Sequence, residues 1–258
     1  MKAKLLCVYD EGALPETPLI GAKGLSILAD VDGQRTLFGT GMRGRYFTHN
    51  SEYLNIDVNG IDRIILSHMH KEHTGGLPAL LEMRDGIVDV LIPPEAADAK
   101  RTKFLGIPIG KEGMPGLSEE LTAKMATQTV SGWTRLSENL FITSPLPDTG
   151  PAEISLVVMT KNGPVLVCGC CHQGAERLIG YVEETTKKKV HAIVGGIHLT
   201  DKKKKEVHKV AEMLKEKGNP QLYLNHCSGH VQRTQLREVL GLKAVNEFYV
   251  GTEIQFEI

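Results

Sequence analysis

Short apolar runs bounded by Gly, Asn and Asp alternate along the chain with longer stretches whose apolar residues recur every three or four positions. The first pattern predicts buried strands and the second predicts amphipathic helices. GLSILADV and QRTLFGTG, with Asp32 and Gly33 between them, predict a hairpin with a tight primed turn. IDRIILSH is a β-branched run (Ile64, Ile65, Leu66) that ends abruptly in polar residues and predicts a buried strand. GLPALLEMRDG predicts a helix packed behind it, and VDVLIPP the next strand. EISLVVMT and PVLVCGC predict a second hairpin, with Asn162 and Gly163 at its turn. In AERLIGYVEETT, Ala175, Leu178, Ile179 and Val182 share one helical face. VHAIVGG and QLYLNH predict strands. Between them, DKKKKEVHKVAEMLKEKG predicts a helix with Val207, Val210, Ala211 and Leu214 inward, Thr200 as its cap and Gly218 as its stop.

The two halves share a plan, strands first and then strand–helix units, which suits sheets stacked between outer helices in one α/β domain covering 1–258. From about 95 to 138 the pattern lapses. Long irregular segments of compact domains are more often functional than core, so this stretch, with GIPIGKEGMPG in it, predicts a lid or insertion over a site.

Composition narrows the partners. The 258 residues are 41% hydrophobic and 24% charged, as in ordinary water-soluble domains. A net charge of -1 gives nucleic acid or an acidic membrane no electrostatic hold, and 5% aromatic residues offer few stacking platforms. The lysine run 202–205 reads as the solvated face of a helix. MKAKLLCVYDEG is too short for a signal core and no long apolar span occurs, so a cytoplasmic protein with a small-molecule substrate is expected. Five cysteines without a secretory signal argue against a disulfide framework.

The chemistry concentrates in SHMHKEHTGG. His68 and His70 are two apart, so extended backbone aims both rings the same way. Glu72 and His73 follow as the chain turns at Gly75 and Gly76. Neutral imidazoles beside a carboxylate suit a divalent cation. A polar, His-rich loop without a ligand has the same composition.

His68-x-His70-x-Glu72-His73, the strand before it and the preceding hairpin resemble the metallo-β-lactamase superfamily and its HxHxDH motif. CGCCHQG, GGIHL and NHCSGH are similar to signatures of the branch that includes the archaeal-type dihydropterin-6-methyl-ribofuranosylaminobenzene-phosphate synthases. The resemblance implies a four-layer αββα sandwich holding one or two divalent metal ions, zinc foremost, with iron or manganese as alternatives. His68, His70 and His172 would hold one ion. His73 and His226 would hold the second, joined by Glu72. Cys170 stands where many members carry a bridging aspartate; Cys168 and Cys171 have weaker claims, and Cys7 reads as core. Glu72 and His198 are the catalytic candidates, His198 through substrate contact or proton donation. His49 and His230 lie near signatures without an assigned role, and His191 and His208 are placed outside the chemistry.

Two residues depart from the pattern. Glu72 replaces the usual aspartate with a longer arm, and Gly39-Thr40-Gly41 replaces Asp-Thr-Gly, removing a carboxylate that supports the histidine loop. The resemblance thus implies a metallohydrolase using a metal-activated water on a phosphoester, ester or lactam. A transferase joining a dihydropterin-methyl diphosphate to an aminobenzene ribofuranosyl phosphate is an alternative. So is a non-catalytic or redox metal protein on the same scaffold.

Overall fold

Alternation begins at the first strand, β1 (Lys2–Tyr9). Its Ala3, Leu5 and Cys7 enter one core while Val8 enters another. The computed structural model describes residues 1–94, 103–104, 107–108, 114–146 and 150–258. After β1 come β2 (Ser26–Val31), β3 (Gln34–Phe38), α1 (Gly44–Tyr53), β4 (Arg63–Ile65), α2 (Lys71–Thr74), α3 (Leu77–Met83) and β5 (Val88–Ile92). A two-stranded ribbon, β6 (Lys103–Phe104) and β7 (Ile107–Pro108), precedes α4 (Glu119–Ala123) and β8 (Met125–Thr129). The second half contributes β9 (Thr134–Arg135), β10 (Leu140–Ile142), β11 (Leu156–Thr160), β12 (Gly163–Cys168), α5 (Ala175–Thr186) and β13 (Ala192–Gly195). The chain closes with α6 (Lys204–Glu216), β14 (Gln221–Leu224), α7 (His230–Leu240), β15 (Val245–Glu247) and β16 (Glu253–Glu257).

Two seven-stranded sheets result, in the orders β16-β1-β2-β3-β4-β5-β8 and β15-β14-β13-β12-β11-β10-β9. Three buried clusters define the layers. Ile27, Phe38 and Ile65 of the first sheet meet Leu156, Val165 and Val194 of the second. Leu37, Ile64 and Val90 pack under Phe47 of α1 and Leu77, Leu80 and Leu81 of α3. Leu166, Ile193 and Leu222 pack under Leu178 and Ile179 of α5, Val207 and Leu214 of α6 and Leu236 of α7. Each sheet is apolar on both faces because each is covered on both faces. The order helix, sheet, sheet, helix is the αββα sandwich the sequence implied, as a single domain.

The β2–β3 turn falls as expected: Val31 pairs with Gln34, and Asp32 and Gly33 have φ of 56° and 75°. Two local expectations are corrected. Thr160 pairs with Gly163, so Lys161 and Asn162 make the second turn and Gly163 already belongs to β12. Thr200 does not cap α6. The helix starts later, at an N-cap of Lys203 whose N–H donates to Glu206, and the Thr200 hydroxyl donates to the Cys227 carbonyl at 2.8 Å.

Much of the expected lid, including GIPIGKEGMPG up to residue 113, lies outside the described residues apart from the ribbon. Farther on, β8 pairs in parallel with β5 as a sheet edge. Among the described residues, no helix is long and apolar enough to cross a membrane.

Ile179 of α5 is fully buried in the helix-side core and does not line the large cavity at the strand ends. Ile179→Ala should lower unfolding free energy by about 2–5 kcal/mol in urea denaturation. Metal content per folded chain should not change.

Candidate metal centre

Parallel pairing brings the chemical residues to one edge. Cys168, Gly195 and Leu224 lie level in register at the ends of β12, β13 and β14. The chain leaving each strand therefore emerges side by side, carrying Cys170 and His172, then His198, then His226 and Cys227. The β4 end supplies His68, His70 and His73, and the β1 end supplies Asp10 and Glu11. Ligand sites of α/β sheets form at such carboxyl edges. A cavity of about 740 Å³ opens here, lined among others by His70, Glu72, Cys170, His172, His198 and Cys227.

Four donor groups converge, each with its ligand atoms within 4.8 Å of one another: His68, His70 and His172; His68, His73 and Cys170; Cys170, His226 and Cys227; and Cys170, His172 and His198. Cys170 belongs to three of them. His68 Nε2 lies 3.0 Å from His70 Nδ1, and His73 Nε2 lies 3.3 Å from the Cys170 sulfur. Nitrogens about 2.0–2.1 Å from one tetrahedral zinc sit roughly 3.3 Å apart, and a nitrogen–sulfur pair slightly more. The spacing fits shared coordination. His226 is 8% exposed and its Nε2 has no hydrogen-bond partner among the described residues. A buried orphan nitrogen beside two sulfurs fits a metal ligand.

Carboxylates hold these donors in place. Glu153, 1% exposed, accepts from the backbone N–H of Cys170 at 2.7 Å, Cys171 at 2.9 Å and His172 at 2.8 Å. Its Oε1 also stands 3.9 Å from His68 Nδ1, which contacts Ser67 Oγ at 3.0 Å. Asp10 accepts the His226 N–H at 2.8 Å, and the Glu11 carboxylate lies 3.0 Å from His226 Nδ1. Such a carboxylate fixes the ring and directs Nε2 toward a metal. Thr40 grips the histidine loop through its N–H and hydroxyl, both donating to the His73 carbonyl.

At Gly39 no carboxylate meets the loop, as the sequence suggested. His73 Nδ1 is buried without a hydrogen-bond partner among the described residues, and a Cβ at position 39 would lie 3.8 Å from it.

Charge follows this arrangement. Burial first, then neighbouring imidazoles, push His68 and His73 well below the usual histidine range. Burial and His198 lower His172 to about 4. Burial also opposes the charged form of His226, but the Glu11 hydrogen bond and the negative charge of Cys227 outweigh it and raise the ring to about 9. Burial and Glu11 raise Asp10 to about 7. The Cys227 thiol is held well below its ordinary value: burial opposes this, and Cys170, His198 and His226 override it. Buried His68 and His73 are thus held neutral beside a cationic His226.

All the predicted residues gather at this edge. Glu72 lines the cavity and lies 4.0 Å from Lys23 Nζ, but it is in none of the four donor groups. His198 faces the same cavity beside Cys227. Cys168 and Cys171 turn into the helix-side core, and Cys7 into the inter-sheet core. His49 contacts the Pro18 carbonyl, His191 packs on Phe256 and His208 pairs with Glu238, while His230 lines the cavity at the start of α7. Sequence reasoning missed Asp10, Glu11, Glu153 and Cys227. An acidic pair closing the first apolar run, and a glutamate opening an otherwise apolar strand, were the available signals.

Residues 21–182 match the family described as the metallo-beta-lactamase superfamily. Among relatives, the chain is 26% identical to the 7,8-dihydropterin-6-methyl-4-(beta-D-ribofuranosyl)-aminobenzene-5'-phosphate synthase of Methanocaldococcus jannaschii, over 88% of this chain and 87% of that protein. A solved structure of a metal-dependent hydrolase of the beta-lactamase superfamily superposes with a TM-score of 0.79 at 22% identity, covering 98% of each chain. Human tRNase Z, short form, gives 0.59 at 15% identity over 99% of this chain and 100% of its own.

Glu153→Gln turns one acceptor into an amide N–H₂ facing a backbone N–H. It should cost about 1–3 kcal/mol in denaturation and weaken metal retention by about 10–100-fold in competition with a chelator. His172 should stay neutral in metal-free protein until the pH approaches 4, read by NMR titration of its ring. The unfolded chain takes that proton near 6.5, so the stability His172 contributes is present above 6.5 and is lost as pH falls toward 4. The stability difference between wild type and His172→Asn should shrink across that window.

Proposed function

Because the chain belongs to the metallo-beta-lactamase superfamily, we propose that it is a metal-dependent hydrolase acting on a small phosphoester, ester or lactam. The observation that carries this reading is the convergence of His68, His70 and His172 on one point, with His70 and His172 at the wall of the cavity. His68, His70 and His172 would hold one divalent ion, zinc foremost; His73, His226 and Cys170 are the further donors for a second. Such ions, when bound, lower the pKa of a coordinated water toward about 7 and polarise a carbonyl or phosphoryl oxygen.

The chain's own residues supply the rest. Glu72, at the cavity wall, would accept the proton of the attacking water. His198, whose pKa is raised by its hydrogen bond to Cys227, faces the cavity and would give a proton to the leaving group. Lys23 at the rim would meet an anionic substrate. The cavity is large enough for a drug-sized ligand.

The likeness to the archaeal synthase over most of both chains favours a second reading on the same site. In it, the site would activate the diphosphate of a dihydropterin-methyl diphosphate as the leaving group, with an aminobenzene ribofuranosyl phosphate as acceptor.

Elemental analysis of protein purified without added metal should find one or two ions per chain, and His68→Ala/His70→Ala should lose them while circular dichroism stays unchanged. Full metal content in the double variant would sink the site assignment. Turnover of a phosphodiester, ester and lactam panel supports the hydrolase. Pyrophosphate release from the pterin pair, with no panel turnover, supports the transferase instead.

A further inference from the structure

We propose that Cys227 is itself a metal ligand, so that the second ion is held by a thiolate-rich set of His226, Cys170 and Cys227. This rests on the reading of the edge as a metal centre and assigns a donor beyond the histidines and Cys170.

Three observations converge on it. The Cys227 sulfur, the Cys170 sulfur and a nitrogen of His226 lie within 4.8 Å of one another, a span that one ion can bridge. His226 Nε2 is buried and has no hydrogen-bond partner among the described residues, while its Nδ1 is engaged by Glu11, so the ring has a single nitrogen left to bind with. The sulfur also sits in a hollow kept open for it: a Cβ at Gly196 would lie 2.6 Å from it and 2.4 Å from the Gly169 carbonyl oxygen.

The Cys227 sulfur lies 3.8 Å from the Cys170 carbonyl oxygen and also has an acceptor contact of the kind a ligating thiolate makes. The His198 backbone N–H donates to it at 3.3 Å. The Thr200 N–H and hydroxyl grip its carbonyl and fix the residue in the loop. Glu72, the carboxylate expected to complete the second site, belongs to none of the donor groups. With two sulfurs and a nitrogen in its place, the second site is soft. It should favour zinc or ferrous iron over magnesium or manganese.

The test uses the full-length protein, stripped with a chelator and reloaded with cobalt(II). Wild type should take up cobalt and show thiolate-to-cobalt absorption in the near ultraviolet. Cys227→Ser should lose about half of that intensity and at least about tenfold in affinity for the second ion; Cys170→Ser serves as the comparison. Bound zinc should also protect Cys227 of wild type from iodoacetamide, read by peptide mass spectrometry, which keeps the test decisive should Cys227→Ser fail to fold. Unchanged absorption and affinity in Cys227→Ser, or equal alkylation of Cys227 with and without zinc, would overturn the assignment while the metal centre stands. Wild type that binds no cobalt or zinc would overturn the metal centre and this ligand with it.

Discussion

Both oxygens of Glu153 face inward, and three consecutive backbone N–H groups, of Cys170, Cys171 and His172, close on them. A buried carboxylate is costly unless it is fully hydrogen-bonded, and these donors meet that need. Burial still raises its pKa, so the anion depends on the loop as much as the loop depends on it. The consequences reach across the site. The loop after β12 carries Cys170 and His172 to the cavity, and the same carboxylate stands 3.9 Å from His68 on the other sheet. One side chain thus ties together donors that the two halves of the chain supply separately.

The backbone pays for that convergence with unfavourable conformations. Cys171, His198 and His226 have φ of 58°, 49° and 48°, where side chains other than glycine are seldom found. The other non-glycine residues of this kind include Asp32 in a hairpin turn and Lys187 at a helix end, positions where local geometry asks for them. Three at one sheet edge, each in a loop that delivers a donor, have no such local reason. Strain of this sort persists where the surrounding contacts over-determine it, as the grips of Glu153, Asp10 and Thr200 do here.

The fold was readable because its cores are periodic. Runs such as IDRIILSH and PVLVCGC carry their strand character in every residue, and Leu178, Ile179 and Val182 mark a helical face unaided. The histidines were readable because they stand at strand ends beside glycines. What escaped the sequence depends on contacts across long separations. Glu11 meets His226 from the far end of the chain, and Glu153 meets a loop on the other side of a hairpin. Neither residue announces its partner by spacing. Cys227 stayed hidden inside a signature whose histidine drew the attention. The Thr200 cap failed for a related reason, because a tertiary bond to Cys227 claims the hydroxyl that a helix start would have used.

Position 39 is shaped for glycine. Gly39 has a φ of 75°, and a Cβ there would lie 2.5 Å from the Leu25 carbonyl oxygen. An aspartate could not be introduced by exchanging one side chain, since the peptide around it lies where glycine fits and a Cβ does not. A carboxylate at this position therefore requires a shift of the β2 and β3 backbones. Support for His73 Nδ1 is thus more readily introduced from another neighbouring residue than from position 39.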